Sequence, residues 1–451
     1  MRRAALVVAG IAAAALLAAC SSGSSTATDT GAAAAGSSAA AGGSAAASGD
    51  RGAPVKLTLW HNYGTEQNAT ATKALTDAYT AKHPNVTFDI VAQPGDNYFS
   101  LLQAAAVSQT GPDLAVMWTG LFDLKYKDWL TNLKDLIPAE TLAKVQGLEW
   151  MSPDFNKDNG PLVMPLERQF YIGFYNKKLL ADAGVTAVPS TWDELFAACD
   201  KLKATGVTPI VYGNGGQSLG ATFYPWYDMS YLMSGAYPVD KWKGLYDGTI
   251  AWDAPANVDQ LTKWASLKSK GCTNDDILTK TNNLDDFTSG KAAMIIDGTW
   301  DTQKFTDVMK DNVAAFVPPF STTPAKGVIE YPGDGFSITK YSKNQQAAAD
   351  FLTFLASPEG AAIVDKAGLI PDLEGTTTTN PVNEQMLGFA ADGGMTRYPM
   401  LDNVVQGDVV DVGNKMLPSV LDGSTTPQDG LSQMAAAWQS LPEEARGANY
   451  Q

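Results

Sequence analysis

The chain has 451 residues, 45% of them hydrophobic and 10% aromatic, and a formal net charge of −16. That length exceeds what one core holds, because single cores stop growing near about 250–300 residues. The acidic balance speaks against nucleic acid and anionic lipid surfaces as partners, since like charges repel.

Arg2 and Arg3 precede an almost wholly apolar run, Ala4 to Ala19. This run is shorter than the roughly 20 residues of a membrane span, and its order is that of a secretory signal. The ending Leu17-Ala18-Ala19-Cys20 resembles the lipobox of bacterial lipoproteins. That resemblance implies cleavage before Cys20, a lipid on its sulfur, and a place at the outer face of the cell membrane. The other reading is an ordinary signal peptide with a chance cysteine. Residues 20–53 are built mainly from Ser, Gly, Ala and Thr. Such a segment cannot offset its ordering entropy and reads as a flexible tether, with a reach of roughly 30 Å. No apolar run after it is long enough to cross a bilayer.

Val55-Lys56-Leu57-Thr58-Leu59 alternates and predicts a strand, followed by a helix from Thr65 to Lys82 that ends at His83-Pro84. Val86, Phe88 and Ile90 alternate again, Tyr98 to Ala105 fits a helix, and Leu114 to Trp118 predicts a third strand. Strands alternating with helices predict βαβ units and a largely parallel sheet. The pattern restarts at Tyr171 to Tyr175. Thr191-Trp192-Asp193-Glu194 is a capping box that opens a helix with Leu195, Phe196, Cys199 and Leu202 on one face. Val207 to Tyr212, Ala292 to Ile296, Ala314 to Val317 and Phe336 to Thr339 are further strand candidates. Late helices follow at Gln345 to Ala356, after Pro358, and after Pro427. The fold class is α/β in two lobes, with several chain crossings between them.

Beyond Cys20 there are two cysteines, Cys199 and Cys272. In a secreted chain they permit one disulfide; the alternative is two buried small hydrophobes.

Catalytic and cofactor motifs are sparse. The chain has two histidines, and no His-Glu-x-x-His or Cys-x-x-Cys pair, so neither a metal nor a cofactor is expected. Gly213-Asn214-Gly215-Gly216-Gln217-Ser218 begins like a dinucleotide fingerprint but lacks its last glycine. Instead, aromatics stand beside planar polar groups at strand ends and in Gly-rich loops. The clusters hold Trp60, His61 and Tyr63; Trp118; Glu167, Arg168 and Tyr171; Tyr224 and Trp226; Trp300 and Asp301; and Asp334. In open α/β sheets, ligands collect at the carboxyl ends of strands. A sugar offers an apolar face to such rings and hydroxyls to such polar groups, so these twelve are the ligand-binding candidates. The other reading of each aromatic is core packing, which suits Trp192, Trp264 and Trp438.

These segments, in order, resemble the bacterial extracellular solute-binding proteins of family 1, the maltose-binding-like receptors of ABC importers. Pro189-Ser190-Thr191-Trp192-Asp193-Glu194-Leu195 is the most specific match. Phe287-Thr288-Ser289-Gly290-Lys291-Ala292-Ala293-Met294 with Gly298-Thr299-Trp300 comes next. The resemblance implies a periplasmic-binding-protein-like fold (type II) with a hinge, ligand in the cleft between lobes, and no enzymatic turnover. It implies crossings near Gln169, Phe336 and Arg397. Lobe 1 is then 54–168 with 337–395, and lobe 2 is 169–336 with 396–451. It also implies a monomeric receptor that delivers a mono- or oligosaccharide to a membrane permease, touching the membrane only through its lipid. Trp300 takes the stacking role, and Asp334 stands where many members carry a Gly-Gly step. The alternatives are a non-sugar solute such as a polyamine or phosphoester, a secreted glycosidase, and a surface adhesin.

Overall fold

A computed structural model describes residues 52–63, 66–94, 97–148, 160–213, 225–391 and 393–446. Alternation makes β1 (Val55–His61) a half-buried strand, with Leu57, Leu59 and His61 buried on one face. It is followed by β2 (Val86–Ala92), β3 (Leu114–Met117), β4 (Met164–Pro165) and β5 (Arg168–Asn176). Then come β6 (Thr208–Ile210), β7 (Ala292–Gly298) and β8 (Val313–Phe316). The last three are β9 (Gly327–Pro332), β10 (Gly335–Ile338) and β11 (Thr396–Tyr398).

The strands form two sheets. The first runs β2-β1-β3-β10-β4, and the second runs β11-β9-β5-β7-β6 with β8 also pairing β5. The expected parallel character holds for β2, β1 and β3. In the second sheet, β5 pairs antiparallel with β7, β8 and β9, so a largely parallel sheet is corrected there. The reason is that β5 enters as one arm of an antiparallel hinge rather than as the start of a βαβ unit.

Helices Glu66–Lys82, Gln345–Leu355 and Pro358–Lys366 cover the first sheet, burying Leu75, Tyr79, Phe351, Leu352 and Val364 against Leu57, Leu59 and Ile338. The second core is larger and aromatic. In it Trp192, at the start of the capped helix Trp192–Ala204, stacks on Phe320 at 4.6 Å. The capping box forms as expected: Glu194 N donates to Thr191 Oγ1 at 3.3 Å, while the Glu194 carboxylate reaches back to Ser190 N at 2.7 Å. Cys199 on that helix and Cys272, just past helix Pro255–Ser269, are joined in a disulfide, with Cα atoms 5.2 Å apart.

Two segments connect the sheets side by side. Met164 and Pro165 of β4 oppose Phe336 and Gly335 of β10, and Arg168 and Gln169 of β5 oppose Pro332 and Tyr331 of β9. Between these ladders Leu166 N donates to Asp334 O at 2.8 Å, and Gly333 N donates to Glu167 O at 2.7 Å. One antiparallel register therefore runs unbroken from the first sheet into the second. The close approach needs glycine: a Cβ on Gly335 would lie 2.0 Å from Met164 O.

The third crossing departs from its expected place near Arg397. After helix Pro358–Lys366, Arg168 N donates to Ile370 O, and Asn383 Nδ2 donates to Gly368 O at 3.0 Å. Helix Pro381–Ala390 then packs on β8, where Gln385 exchanges hydrogen bonds with the Ala315 backbone at 2.9 Å. The chain thus passes to the second sheet between Lys366 and Pro381, and 381–390 belongs with that sheet rather than with the first. Its apolar face is cut to fit β8, which no local pattern announces.

Candidate functional site

The hinge ladder gathers polar side chains where the two sheets meet. Glu167 is fully buried, and its Oε1 accepts from Asn68 Nδ2 at 2.8 Å and from Gln169 Nε2 at 3.0 Å. Burial pushes its carboxyl up to about 7, against the pull of those two hydrogen bonds. Asp334, which follows the Gly333 that faces Glu167 across the ladder, is pushed up by burial and then by the negative charges of Glu167 and Asp402. Tyr63 lies against the same group: burial, then Asp334 and Glu167, hold its phenol in the neutral form. The Tyr63 hydroxyl and Glu167 Oε2 are buried and have no hydrogen-bond partner among the described residues.

His61 ends β1 and stacks on Tyr63 at 5.3 Å, while Tyr63 N donates to His61 Nδ1 at 3.3 Å. Burial lowers the imidazole pKa, so it is a neutral acceptor there. Trp118 follows β3, half-buried, edge-on to Phe99 at 4.9 Å.

The second sheet supplies an aromatic trio. Tyr171 on β5 lies 4.5 Å from Tyr227 and 6.1 Å from Trp300, and Tyr227 lies 5.6 Å from Trp300. The Tyr171 hydroxyl donates to both carboxylate oxygens of Asp402 at 2.8 Å, and Asp402 in turn acts on Asp334. Half-buried, Trp300 keeps part of its ring open. Apolar ring faces thus stand next to a set of carboxylates and amides, the pairing that a polyhydroxyl ligand needs.

A model of the bacterial extracellular solute-binding proteins matches residues 63–362. The chain belongs to that family. The melibiose/raffinose/stachyose-binding protein MelE of Bacillus subtilis is 20% identical over 322 residues, 70% of this chain and 73% of the relative. The sn-glycerol-3-phosphate-binding periplasmic protein UgpB of Escherichia coli K12 is 22% identical over 430 residues, 85% of this chain and 91% of the relative. Among solved structures, a chitin oligosaccharide binding protein superposes with a TM-score of 0.72 at 23% identity, covering 88% of this chain and 99% of that one. That likeness carries the two-lobed α/β fold.

In this solute-binding protein the candidate residues separate. His61, Tyr63, Glu167, Tyr171, Trp300 and Asp334 come together at the hinge, with Trp118 at the end of β3. Asp301 is buried beside the trio, and burial pushes its carboxyl up to about 6 against the pull of Lys304. Trp60 is on the opposite face of β1 from His61 and packs on the first core. Arg168 pairs with the buried Glu330 and donates to Gln146 Oε1 at 3.1 Å, so its guanidinium braces the sheet instead of facing ligand. Trp226 is fully buried against Trp252 and Gly413 and is corrected from binding residue to core. Tyr224 and Cys20 lie outside the described residues. Sequence reasoning missed Asn68, Gln169 and Asp402 as partners of the site and did not single out Tyr227; only Gln169 carried a signal, as an expected crossing position.

A separate cavity of about 410 Å³ lies at the outer edge of the second sheet, lined by Thr208, Asn274, Asp276, Lys280 and Asp286 among others. Its Lys280 is paired with Asp286 at 2.7 Å and Asp276 at 3.3 Å, so the ammonium group there is already engaged.

Proposed function

We propose that this chain is the substrate-binding protein of an ABC importer, that it captures a mono- or oligosaccharide between its two lobes, and that it delivers the sugar to a membrane permease. The observation that carries this reading is the aromatic trio Tyr171, Tyr227 and Trp300 beside the polar group Glu167, Gln169, Asp334 and Asp402. The rings take the apolar faces of a sugar and the carboxylates and amide take its hydroxyls. The lobes, residues 54–167 with 335 through the 366–381 crossing and residues 168–334 with the remainder, close about the ladder at Leu166–Arg168 and Pro332–Asp334. Ligand drives closure only as far as it binds the closed state better than the open one.

The relatives' names support the sugar: MelE is named for binding melibiose, raffinose and stachyose, and the solved structure for binding chitin oligosaccharide. UgpB takes a phosphoester, but Glu167 and Asp334 repel a phosphate, so that reading is the weaker one here. The protein binds its sugar and releases it unchanged. In this reading Cys20 carries lipid, and residues 20–53 hold the receptor at the outer face of the cell membrane as a monomer.

Thermal unfolding against a panel of saccharides, with each sugar recovered and analysed, tests this. A ligand at about 100 times its Kd adds about 2.7 kcal/mol, a shift of several degrees. A selective shift with intact sugar, lost in Trp300→Ala, supports the reading. Cleaved sugar overturns the non-enzymatic part, and no shift across the panel overturns the sugar.

A further inference from the structure

We infer that the preferred ligand is a saccharide carrying a protonated amine, seated between Glu167 and Asp334; this rests on the sugar reading above and narrows its ligand class. Four observations lead there. Glu167 is 0% exposed, yet it is tied down on one oxygen only; both of its amide donors, Asn68 and Gln169, go to Oε1. Its other oxygen is buried and has no partner among the described residues. The backbone ladder pairs Glu167 with Gly333 and Leu166 with Asp334, through Gly333 N to Glu167 O and Leu166 N to Asp334 O, so Asp334 is the residue next to the one that faces Glu167. The basic side chain closest in sequence, Arg168, is engaged by Glu330 and Gln146.

A buried carboxylate with an open oxygen beside a second carboxylate leaves the hinge rich in acceptors and poor in positive charge. An ammonium group meets that need: it has three donors and one positive charge, and no acceptor to be left over. A neutral hydroxyl supplies one donor and leaves the mutual repulsion in place. The carboxylates' raised pKa values agree, since they mark charge that burial and like neighbours disfavour. The titratable groups facing this position include Tyr63 with its stacked His61, Tyr98, Glu167, Asp334 and, beyond it, Asp402. Tyr63 stays protonated, and its buried hydroxyl has no hydrogen-bond partner among the described residues, which leaves it open to accept from the same ammonium. Beside this position the Tyr171–Tyr227–Trp300 trio takes the sugar ring, so amine and ring are recognised by different elements.

The test uses the full chain and matched saccharides that differ only at one substituent: hydroxyl, N-acetyl or free amine, as in cello-, chitin- and chitosan-oligosaccharides, with glucose, N-acetylglucosamine and glucosamine as monomers. Spermidine serves as a cation without a sugar ring. Calorimetry at pH 6.5 and low salt is expected to show the amine form binding at least tenfold tighter than its neutral partners. That advantage shrinks with added salt, and in Glu167→Gln and Asp334→Asn the ratio of amine-form to neutral-form affinity is expected to fall to within a few-fold of one, whatever each variant's absolute affinity. Binding of the amine form is also expected to release protons, read as a dependence of the heat on buffer ionisation enthalpy. Equal binding of the three forms overturns this inference and leaves the sugar reading standing. Binding of spermidine with no saccharide, or of no probe at all, overturns the sugar reading itself and this inference with it. Thermal melts of each variant separate lost folding from lost recognition.

Discussion

Gly298 lies beneath the indole of Trp300: a Cβ on Gly298 would sit 2.1 Å from Cη2 and 2.2 Å from Cζ2. The Gly298 backbone is extended, with φ −123° and ψ 170°, a conformation any residue adopts. Glycine is therefore required by the ring and not by the backbone. Gly298 ends β7, so the strand itself sets where the indole rests.

Gly298→Ala is expected to displace the Trp300 ring and weaken saccharide binding by at least tenfold, with a stability loss of about 1–3 kcal/mol from overpacking. Removing the ring should relieve the strain: the double variant Gly298→Ala, Trp300→Ala recovers stability but not affinity. Urea unfolding and calorimetry on the single and double variants check both halves. If Gly298→Ala binds as the parent does, Trp300 is not the stacking ring.

Glu330 on β9 holds Arg168 of β5 and Arg397 of β11 and is almost completely buried. Removing one member of such a triad strands buried charge, which costs about 3–5 kcal/mol. Glu330→Gln is expected to lower the urea midpoint by that order. Glu330→Met together with Arg168→Met is expected to recover part of it, because the remaining positive charge of Arg397 is half-exposed. An unchanged midpoint in Glu330→Gln would show that the triad sets geometry without adding stability.

Much of this fold is legible in local pattern. Period-two alternation marks β1 and β2, and the box at Thr191 to Glu194 marks a helix start because capping chemistry is local. The site is legible only where a strand end carries an aromatic. Trp226 and Tyr227 show why composition is not enough: they are neighbours on one helix, about 100° apart around its axis. One turns to Trp252 and Gly413, the other to Tyr171 and Trp300. No nearby signal set the helix's rotation, which its packing partners far along the chain decide. Asn68 and Asp402 reach the site from opposite ends of the chain, so only the folded hinge brings them to Glu167 and Tyr171. The same holds for the crossing after Lys366, whose β8 contact is non-local.

The Cys199–Cys272 disulfide joins residues 73 apart in sequence. Closing a loop of that length removes denatured-state entropy, and losing such a bridge costs about 2–5 kcal/mol. Both sulfurs are fully buried in the second core, away from the hinge. Cys199→Ser with Cys272→Ser is therefore expected to lower the thermal midpoint by several degrees while saccharide affinity stays within twofold. A tenfold affinity loss in a folded variant would show that the bridge also shapes the cleft.

Asp228 gives the pH dependence of folding a sign. It is buried in the second core, where Trp264 Nε1 donates to its Oδ2 at 3.0 Å. Burial raises its pKa from 3.8 to about 7, opposed by hydrogen bonds from Tyr212 and Trp264. The folded chain thus holds this proton more tightly than the unfolded chain. The resulting stability is fully present below pH 3.8 and is lost as pH rises toward about 7. Glu167, raised to about 7, acts in the same direction. The protein without ligand is therefore expected to be more stable at pH 5 than at pH 7.5. Asp228→Asn keeps an acceptor for Trp264 and removes the titration, so its stability should change less across that interval. Urea midpoints at the two pH values, for parent and variant, decide it. Parent and variant midpoints that change alike between the two pH values would mean that Asp228 holds its proton no more tightly in the folded chain than in the unfolded one.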